Sequence, residues 1–179
     1  MTQAISDNDI RTFKKMLFSQ TNLEITSIRL LDEDLNVLQT ICFFNAELLI
    51  EVIRERFKDD PEGAKRLVDY AEPSAGNRAI NYAVLTGNQH LIDFIHVELK
   101  ANVKILTASG LNVLHGAAQI DRGALSLMNF SQKKFGLNVN QKDKYGCTPL
   151  HFAVNCVQFK CVECLLALGA DPNIVNDEG

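Results

Sequence analysis

Two thiols stand three residues apart in the run CVEC, Cys161 and Cys164, and on a helix that spacing puts both on one face. Redox pairs and zinc sites use such a spacing, but a structural zinc site needs four ligands, and no second Cys-x-x-Cys or paired histidines accompany this one. A set drawn from Cys147, Cys156, Cys161 and Cys164 is the one thiol or zinc alternative, and it is disfavoured. With Cys42 the cysteines number five, an odd count without framework spacing, which reads as free thiols. His115 and His151, with Cys147 and Asp143, offer the residue types of a nucleophile and its base. His90 and His96 lie six apart and share a helix face poorly. No glycine-rich phosphate loop, paired-carboxylate motif or metal spacing is present, so no catalytic residue, metal or cofactor is expected.

Composition narrows the partners. The formal charge of −4 and pI near 5.5 leave no excess of Lys and Arg to neutralise phosphates, which disfavours nucleic acid and anionic membrane surfaces. Residues 1–17 carry Asp7, Asp9, Arg11, Lys14 and Lys15 without a continuous apolar run, so they do not read as a secretory signal. The densest apolar stretch, 38–57, includes Glu47, Glu51, Arg54, Glu55 and Arg56 and cannot cross a membrane. The expectation is a soluble cytoplasmic chain, or one on the cytosolic face of a membrane if tethered by residues outside this sequence.

The elements that would position these residues recur. KDKYGCTPLHFAVN (142–155) aligns with LTASGLNVLHGAAQ (106–119), matching Gly146 to Gly110, Leu150 to Leu114, His151 to His115 and Ala153 to Ala117. EPSAGNRAINYAVL places Gly76, Ile80, Asn81 and Ala83 in the same slots. Two looser copies put Leu38 and Ile41, and then Ala4, in the Leu and Ala positions. The reference residues 4, 41, 83, 117 and 153 are separated by 37, 42, 34 and 36, a period in the thirties with insertions. Each copy reads as two helices. Thr148 caps the first through its hydroxyl, and Pro149 takes the first helical position, where a missing N–H costs nothing. Residues 158–168 form the second, with Phe159, Val162, Leu165, Leu166 and Leu168 as its apolar stripe and Gly169 as its stop.

At these residues the chain resembles an ankyrin repeat protein, most closely in GCTPLHFAV and LLALGADPNIVNDEG and then in GLNVLHGAAQ. The resemblance implies an all-α solenoid of about five helix pairs joined by hairpin loops, with the first two repeats degenerate. The repeats would run about 1–34, 35–76, 77–110, 111–146 and 147–179 in a single domain. It assigns His115 and His151 a structural role, tying a helix start to neighbouring backbone, and places Cys42, Cys161 and Cys164 at small apolar positions. The third copy departs from the pattern with RAIN, where Arg78 cannot cap as Thr148 does. Residues 58–75 are an insertion, with Pro61 and Gly63 as breakers, AKRLVDY as a short helix and an irregular bend. The last apolar face lacks a capping repeat, which suggests part of a longer chain or a partner at that end. The wording also resembles the ankyrin segments that precede the membrane domain of Asp-His-His-Cys protein S-acyltransferases, although no Asp-His-His-Cys run occurs.

The family geometry implies a concave protein-binding face. Its candidate residues are Phe43, Phe44, Leu85, Thr86, Gln119, Ile120, Asn155 and Cys156, which follow the reference alanines. Hairpin tips add Glu33, Ser109, Leu111, Lys144 and Tyr145. Phe43, Phe44, Leu85 and Ile120 would make an apolar strip that water reaches, unless one phenylalanine belongs to the core. The expected function is capture of a protein or extended peptide by a non-enzymatic module. The alternative is a substrate-recruiting or regulatory arm of an S-acyltransferase. Oligomeric state is not indicated.

Overall fold

Helices make up the regular structure among the described residues, which in the computed structural model are 1–30, 34–121, 123–130 and 135–179. The all-α expectation holds, and the only β-type pairing among them is an isolated bridge between Leu30 and Leu35. Contacts divide the chain into two units, Met1–Asn102 and Val103–Gly179.

The first unit holds α1 (Thr2–Ser6), α2 (Ile10–Phe18), α3 (Asn22–Ser27) and α4 (Val37–Phe43). A 3-10 turn, Glu47–Leu49, leads into α5 (Ile50–Arg56), followed by α6 (Pro61–Asp69), α7 (Ala79–Thr86) and α8 (Gln89–Asp93). The last of these widens into a π-helical turn at Phe94–Glu98. Local chemistry starts several of these helices. Asp9 accepts the Thr12 N–H at 3.1 Å, and Thr21 and Glu24 close a reciprocal capping box. First helices pack in order, α1 on α4 and α4 on α7, while α2 packs on α5. Phe13, Leu17, Leu38, Ile41, Leu49, Ile53 and Phe94 are buried between them, each burial contributing about 1.5–3 kcal/mol.

The second unit holds α9 (Val113–Ala118), α10 (Gly123–Phe130), α11 (Pro149–Asn155) and α12 (Phe159–Ala167). Here α9 packs on α11 and α10 on α12, so two helix pairs lie against each other. The reference positions are buried in both units: Ala4 is 7% exposed, and Ile41, Ala83, Ala117 and Ala153 are 0% exposed. The small side chain at four of the five positions lets helices approach closely. Leu114 and Leu150 are buried, as the seam between pairs demands.

Two expectations need correction. Pro61 does not break the insertion; it opens α6 at the first helical position, and Asp60 accepts the Gly63 N–H at 2.8 Å. The stripe of α12 is also narrower than its sequence suggests. Cys161 and Leu165, one turn apart, face α9 and α10, whereas Phe159 at the helix start is 73% exposed and Leu166 is exposed too.

Backbone conformation repeats with the helices. Gly76, Gly110 and Gly146 have φ of +73°, +79° and +75° at one hairpin position, which Asp34 fills in the second repeat at +62°. The turn inside four of the helix pairs is left-handed as well, at Asn8, Asn45, Gly87 and Val157. Asparagine and glycine tolerate that region, but a β-branched residue does not. Val157 sits there at φ +57° with its side chain 64% exposed, so it bears strain without compensating burial. Val157→Asn should therefore raise stability by about 0.5–1 kcal/mol in urea unfolding; an unchanged or lowered midpoint would show that the valine is not strained.

Candidate functional site

His115, His151, the buried thiols and the hairpin acids are construction elements, and their geometry shows how. His115 Nδ1 accepts the Asn112 backbone N–H at 3.1 Å, which leaves the ring proton on Nε2. That nitrogen lies 3.3 Å from the Cys147 carbonyl, to which it donates across to the next repeat. The imidazole thus closes its own helix start and straps it to the following hairpin. His151 repeats the first half, its Nδ1 accepting the Thr148 N–H at 3.0 Å. The Thr148 hydroxyl lies 2.9 Å from the same nitrogen, so hydroxyl and imidazole share the cap rather than the hydroxyl making it alone.

The second and third repeats use amides to close the helix start. Gln39 Oε1 accepts the Asn36 N–H at 2.8 Å, and its Nε2 donates to the Asn77 carbonyl at 2.9 Å and the Tyr70 carbonyl at 3.3 Å. In the third repeat Asn81 Oδ1 accepts the Arg78 N–H at 2.8 Å, and Arg78 itself makes no side-chain cap, as expected. The N-cap asparagines add a second strap: Asn36 Nδ2 donates to Leu67 and Asn112 Nδ2 to Asn138, at 2.7 and 3.2 Å. Residue 67 belongs to α6, so the inserted helix supplies in the first unit what the loop after α10 supplies in the second.

Acids hold the hairpins. Asp143 Oδ1 accepts the N–H groups of Tyr145 and Cys147 at 2.9 and 2.8 Å, and Thr107 Oγ1 accepts that of Leu111 at 3.2 Å. The third repeat has one more residue in this turn, and the longer Glu72 spans it. Its carboxylate, 2% exposed, accepts from the Ser74 N–H and hydroxyl, the Ala75 N–H, and the Asn77 N–H and carboxamide, all between 2.6 and 3.1 Å. Burial pushes the Glu72 carboxyl up, but the Ser74, Ala75 and Asn77 bonds together outweigh it and hold the group below its ordinary 4.5. Sequence reading passed over Glu72 and Gln39, although the alignment puts Gln39 directly after Leu38, in the histidine slot.

The thiols are packed as small apolar groups. Cys161 Sγ lies 3.8 Å from the Ala117 carbonyl and 3.4 Å from that of Ile120, and Cys164 Sγ lies 3.6 Å from that of Ala124. Burial raises both above the ordinary thiol value and does the same to Cys42, so the unreactive protonated form is favoured. Cys147 Sγ accepts from Asn176 at 3.5 Å, and Cys156 is exposed. His90 Nδ1 is 3.7 Å from a Glu47 oxygen, and His96 Nδ1 lies 3.3 Å from the Ala101 carbonyl.

The predicted binding residues divide between the units. In the first, Phe43 is 47% exposed at the end of α4, with Phe44 half-buried beside it at a ring separation of 5.3 Å. The Phe43 ring stands edge-on to Tyr82 of α7 at 6.2 Å, and Leu85, three residues further along α7, is 43% exposed. Thr86 donates to the Ala83 carbonyl and accepts the Asn88 N–H, at 2.8 and 3.2 Å. In the second unit the tips of successive hairpins are joined, Lys144 N–H donating to the Ser109 carbonyl and Asp177 N–H to that of Tyr145, at 2.9 and 3.0 Å. Lys144 and Tyr145 are exposed, with the ammonium 4.9 Å from the ring centre, and Leu111 is half-buried. Gln119 Nε2 donates to the His115 carbonyl at 3.1 Å; Ile120 is half-buried, and Asn155 and Cys156 are exposed. Glu33 lies outside the described residues.

Helix pairs with one capping scheme, strapped hairpin to helix, define a tandem-repeat protein whose exposed residues are those the stacking does not use. The family model for ankyrin repeats matches three copies over residues 80–176, and the chain belongs to that family. It is 34% identical over 80 residues to human protein phosphatase 1 regulatory subunit 27, covering 45% of this chain and 50% of that one. It is 34% identical over 101 residues to the ankyrin repeat protein nuc-2 of Neurospora crassa, covering 55% and 9%. It is 47% identical over 45 residues to a putative ankyrin repeat protein of Acanthamoeba polyphaga mimivirus, covering 25% and 6%. The chain therefore spans half or less of each relative's length. Ankyrin repeats are a protein-interaction module. Among the described residues, no helix is long and apolar enough to cross a membrane.

Two residues make this scheme testable by pH. Desolvation holds His115 below its ordinary 6.5, so between the folded and unfolded values only the unfolded state carries the proton. Stability is then complete above 6.5 and falls as pH drops beneath it. Because Gln39 already performs the same double task, His115→Gln should cost at most about 1 kcal/mol at neutral pH and lose less than the parent on acidification to about pH 5.5. Urea unfolding at the two pH values checks this, and an unchanged pH slope would refute the role of the imidazole. Glu72, held low, contributes stability that is present above 4.5 and lost as pH falls through its depressed folded value. Glu72→Ala should cost about 2–3 kcal/mol at neutral pH, since it orphans the N–H groups of the turn.

Proposed function

We propose that the chain captures a protein segment in extended form on the side presented by its first helices and hairpin tips, the concave face of ankyrin repeats. The observation carrying this reading is the aromatic group of the first unit: Phe43 at 47% and Leu85 at 43% exposure, with Tyr82 edge-on between α4 and α7. Exposed aromatic and aliphatic side chains on a rigid scaffold are costly to a repeat fold, but they anchor partners well. Their rigidity limits the ordering entropy lost on binding. In the second unit, Tyr145, Lys144, Leu111, Ser109, Gln119, Ile120, Asn155 and Cys156 are the corresponding residues of this reading, and the joined hairpin tips provide a fixed backbone frame for them. The relatives, among them one described as a phosphatase regulatory subunit, support a binding module. Neither the described geometry nor these relatives add support to the S-acyltransferase alternative, in which the same face would recruit substrates.

Peptides selected from a random displayed library against the intact chain supply the test. Phe43→Asp and Leu85→Asp should each weaken the selected peptides by about 10-fold or more, with the helical circular dichroism spectrum unchanged. Phe43 is the cleaner position because Phe44 is half-buried. Peptides that bind both variants as tightly as the parent would place the binding face elsewhere.

A further inference from the structure

The first unit carries a second feature that the repeat does not require, on the side of its second helices. A groove of about 500 Å³ is bounded by the start of α2, the 3-10 turn with α5, and α8 with its π-helical turn. We propose that this groove docks a basic segment of a partner protein, with the apolar stem of a lysine or arginine on its floor and the cationic head at its rim.

The floor is apolar and wet. Leu48 is 55% exposed and Ile10 42%, above the buried Ile50 and Phe94. The rim is anionic: Glu47, Glu51, Asp93 and Glu98 face a single arginine, Arg54. That arginine is fully engaged. Its Nε and Nη2 bind the two Glu98 oxygens, both at 2.7 Å, and its Nη1 binds Glu51. Glu47 and Asp93 are left with amide donors, Asn88 Nδ2 and Gln89 Nε2, each at 2.8 Å, and with His90 at 3.7 Å from Glu47. Two carboxylates beside an exposed leucine, with neutral donors as their hydrogen-bond partners, complement a long cationic side chain whose methylenes cover apolar surface while its head stays at the edge.

The helical irregularities support the assignment. The 3-10 turn Glu47–Leu49 and the π turn Phe94–Glu98 both border this groove, whereas α12 runs through the equivalent second helix without either. Poorer hydrogen-bond geometry is a cost, and π turns concentrate at functional positions. Neither Phe43 nor Leu85 lines the groove, so the inference stands independently of the first-helix reading.

The probe is the peptide acetyl-Lys-Leu-Lys-Leu-Arg-amide, titrated into the ¹⁵N-labelled chain beside a control with glutamate at each basic position. Saturable amide shifts at Leu48, Glu51 and Asp93 are expected with the basic peptide alone. Glu47→Gln with Asp93→Asn should weaken it about 5-fold, as should raising salt from about 50 to about 300 mM. Phe43→Asp should leave it unchanged. Shifts confined to other residues, equal binding of the control, or undiminished binding by the neutral double variant would each overturn the proposal. Shifts of the groove amides with protein concentration alone would overturn it in favour of self-association.

Discussion

The structure depends on one constraint: the N-cap backbone of a first helix must be satisfied, and in two repeats the side chain that does so also holds the next hairpin. Histidine at position 115 and glutamine at 39 do both, one nitrogen or oxygen accepting from the N-cap and the other nitrogen donating to a carbonyl over thirty residues away. A buried donor or acceptor left alone costs about 1–3 kcal/mol, which is a large share of a small unit's stability. Within each unit the strap therefore fixes one helix pair against the next, and apolar burial between helix pairs supplies the bulk of the energy.

That constraint accounts for His115 and Asp143 without any catalytic role. A nucleophile's base needs a free imidazole nitrogen, yet His115 uses Nδ1 for its N-cap and Nε2 for the Cys147 carbonyl. Asp143, its would-be orienting acid, is occupied by two N–H groups of its own turn. The CVEC thiols lie against backbone carbonyls in a setting that favours the neutral thiol, with Cys161 contributing volume to the same seam as Leu165. His115, Asp143 and Cys161 are spent on holding.

Much of this was legible in the sequence, and the limits are physical. The period and the burial of Ala83, Ala117 and Ala153 follow from small residues recurring where helices touch, and the loose copies at Ala4 and Ile41 obey the same spacing. The insertion was misread because Pro61 and Gly63 look like breakers, while a proline at the first helical position with an aspartate before it starts a helix instead. Glu72 and Gln39 were missed because they perform the work of Asp143 and His115 with different side chains. Recognition by letter fails there, and recognition by reach and hydrogen-bonding capacity succeeds. The anionic groove was invisible because it depends on helix irregularities that no spacing rule encodes.

Function in such a molecule is found by subtraction. Once the straps, caps and seam residues are removed from consideration, the exposed apolar groups of the first unit include, besides Phe18 and Val97, two sets on different sides, Phe43 and Leu85 on first helices and Leu48 and Ile10 near second helices. They differ in electrostatic setting. In the first, Phe43 stands edge-on to the Phe44 and Tyr82 rings; the second is ringed by carboxylates whose one arginine is already engaged. Apolar contact is indifferent to partner charge, whereas an anionic rim rejects acidic segments and draws basic ones at low ionic strength. If both proposals hold, two surfaces with different selection rules on one unit would accept unlike segments, since the hydrogen bonds that strap the repeats together use neither Phe43 and Leu85 nor Leu48 and Ile10.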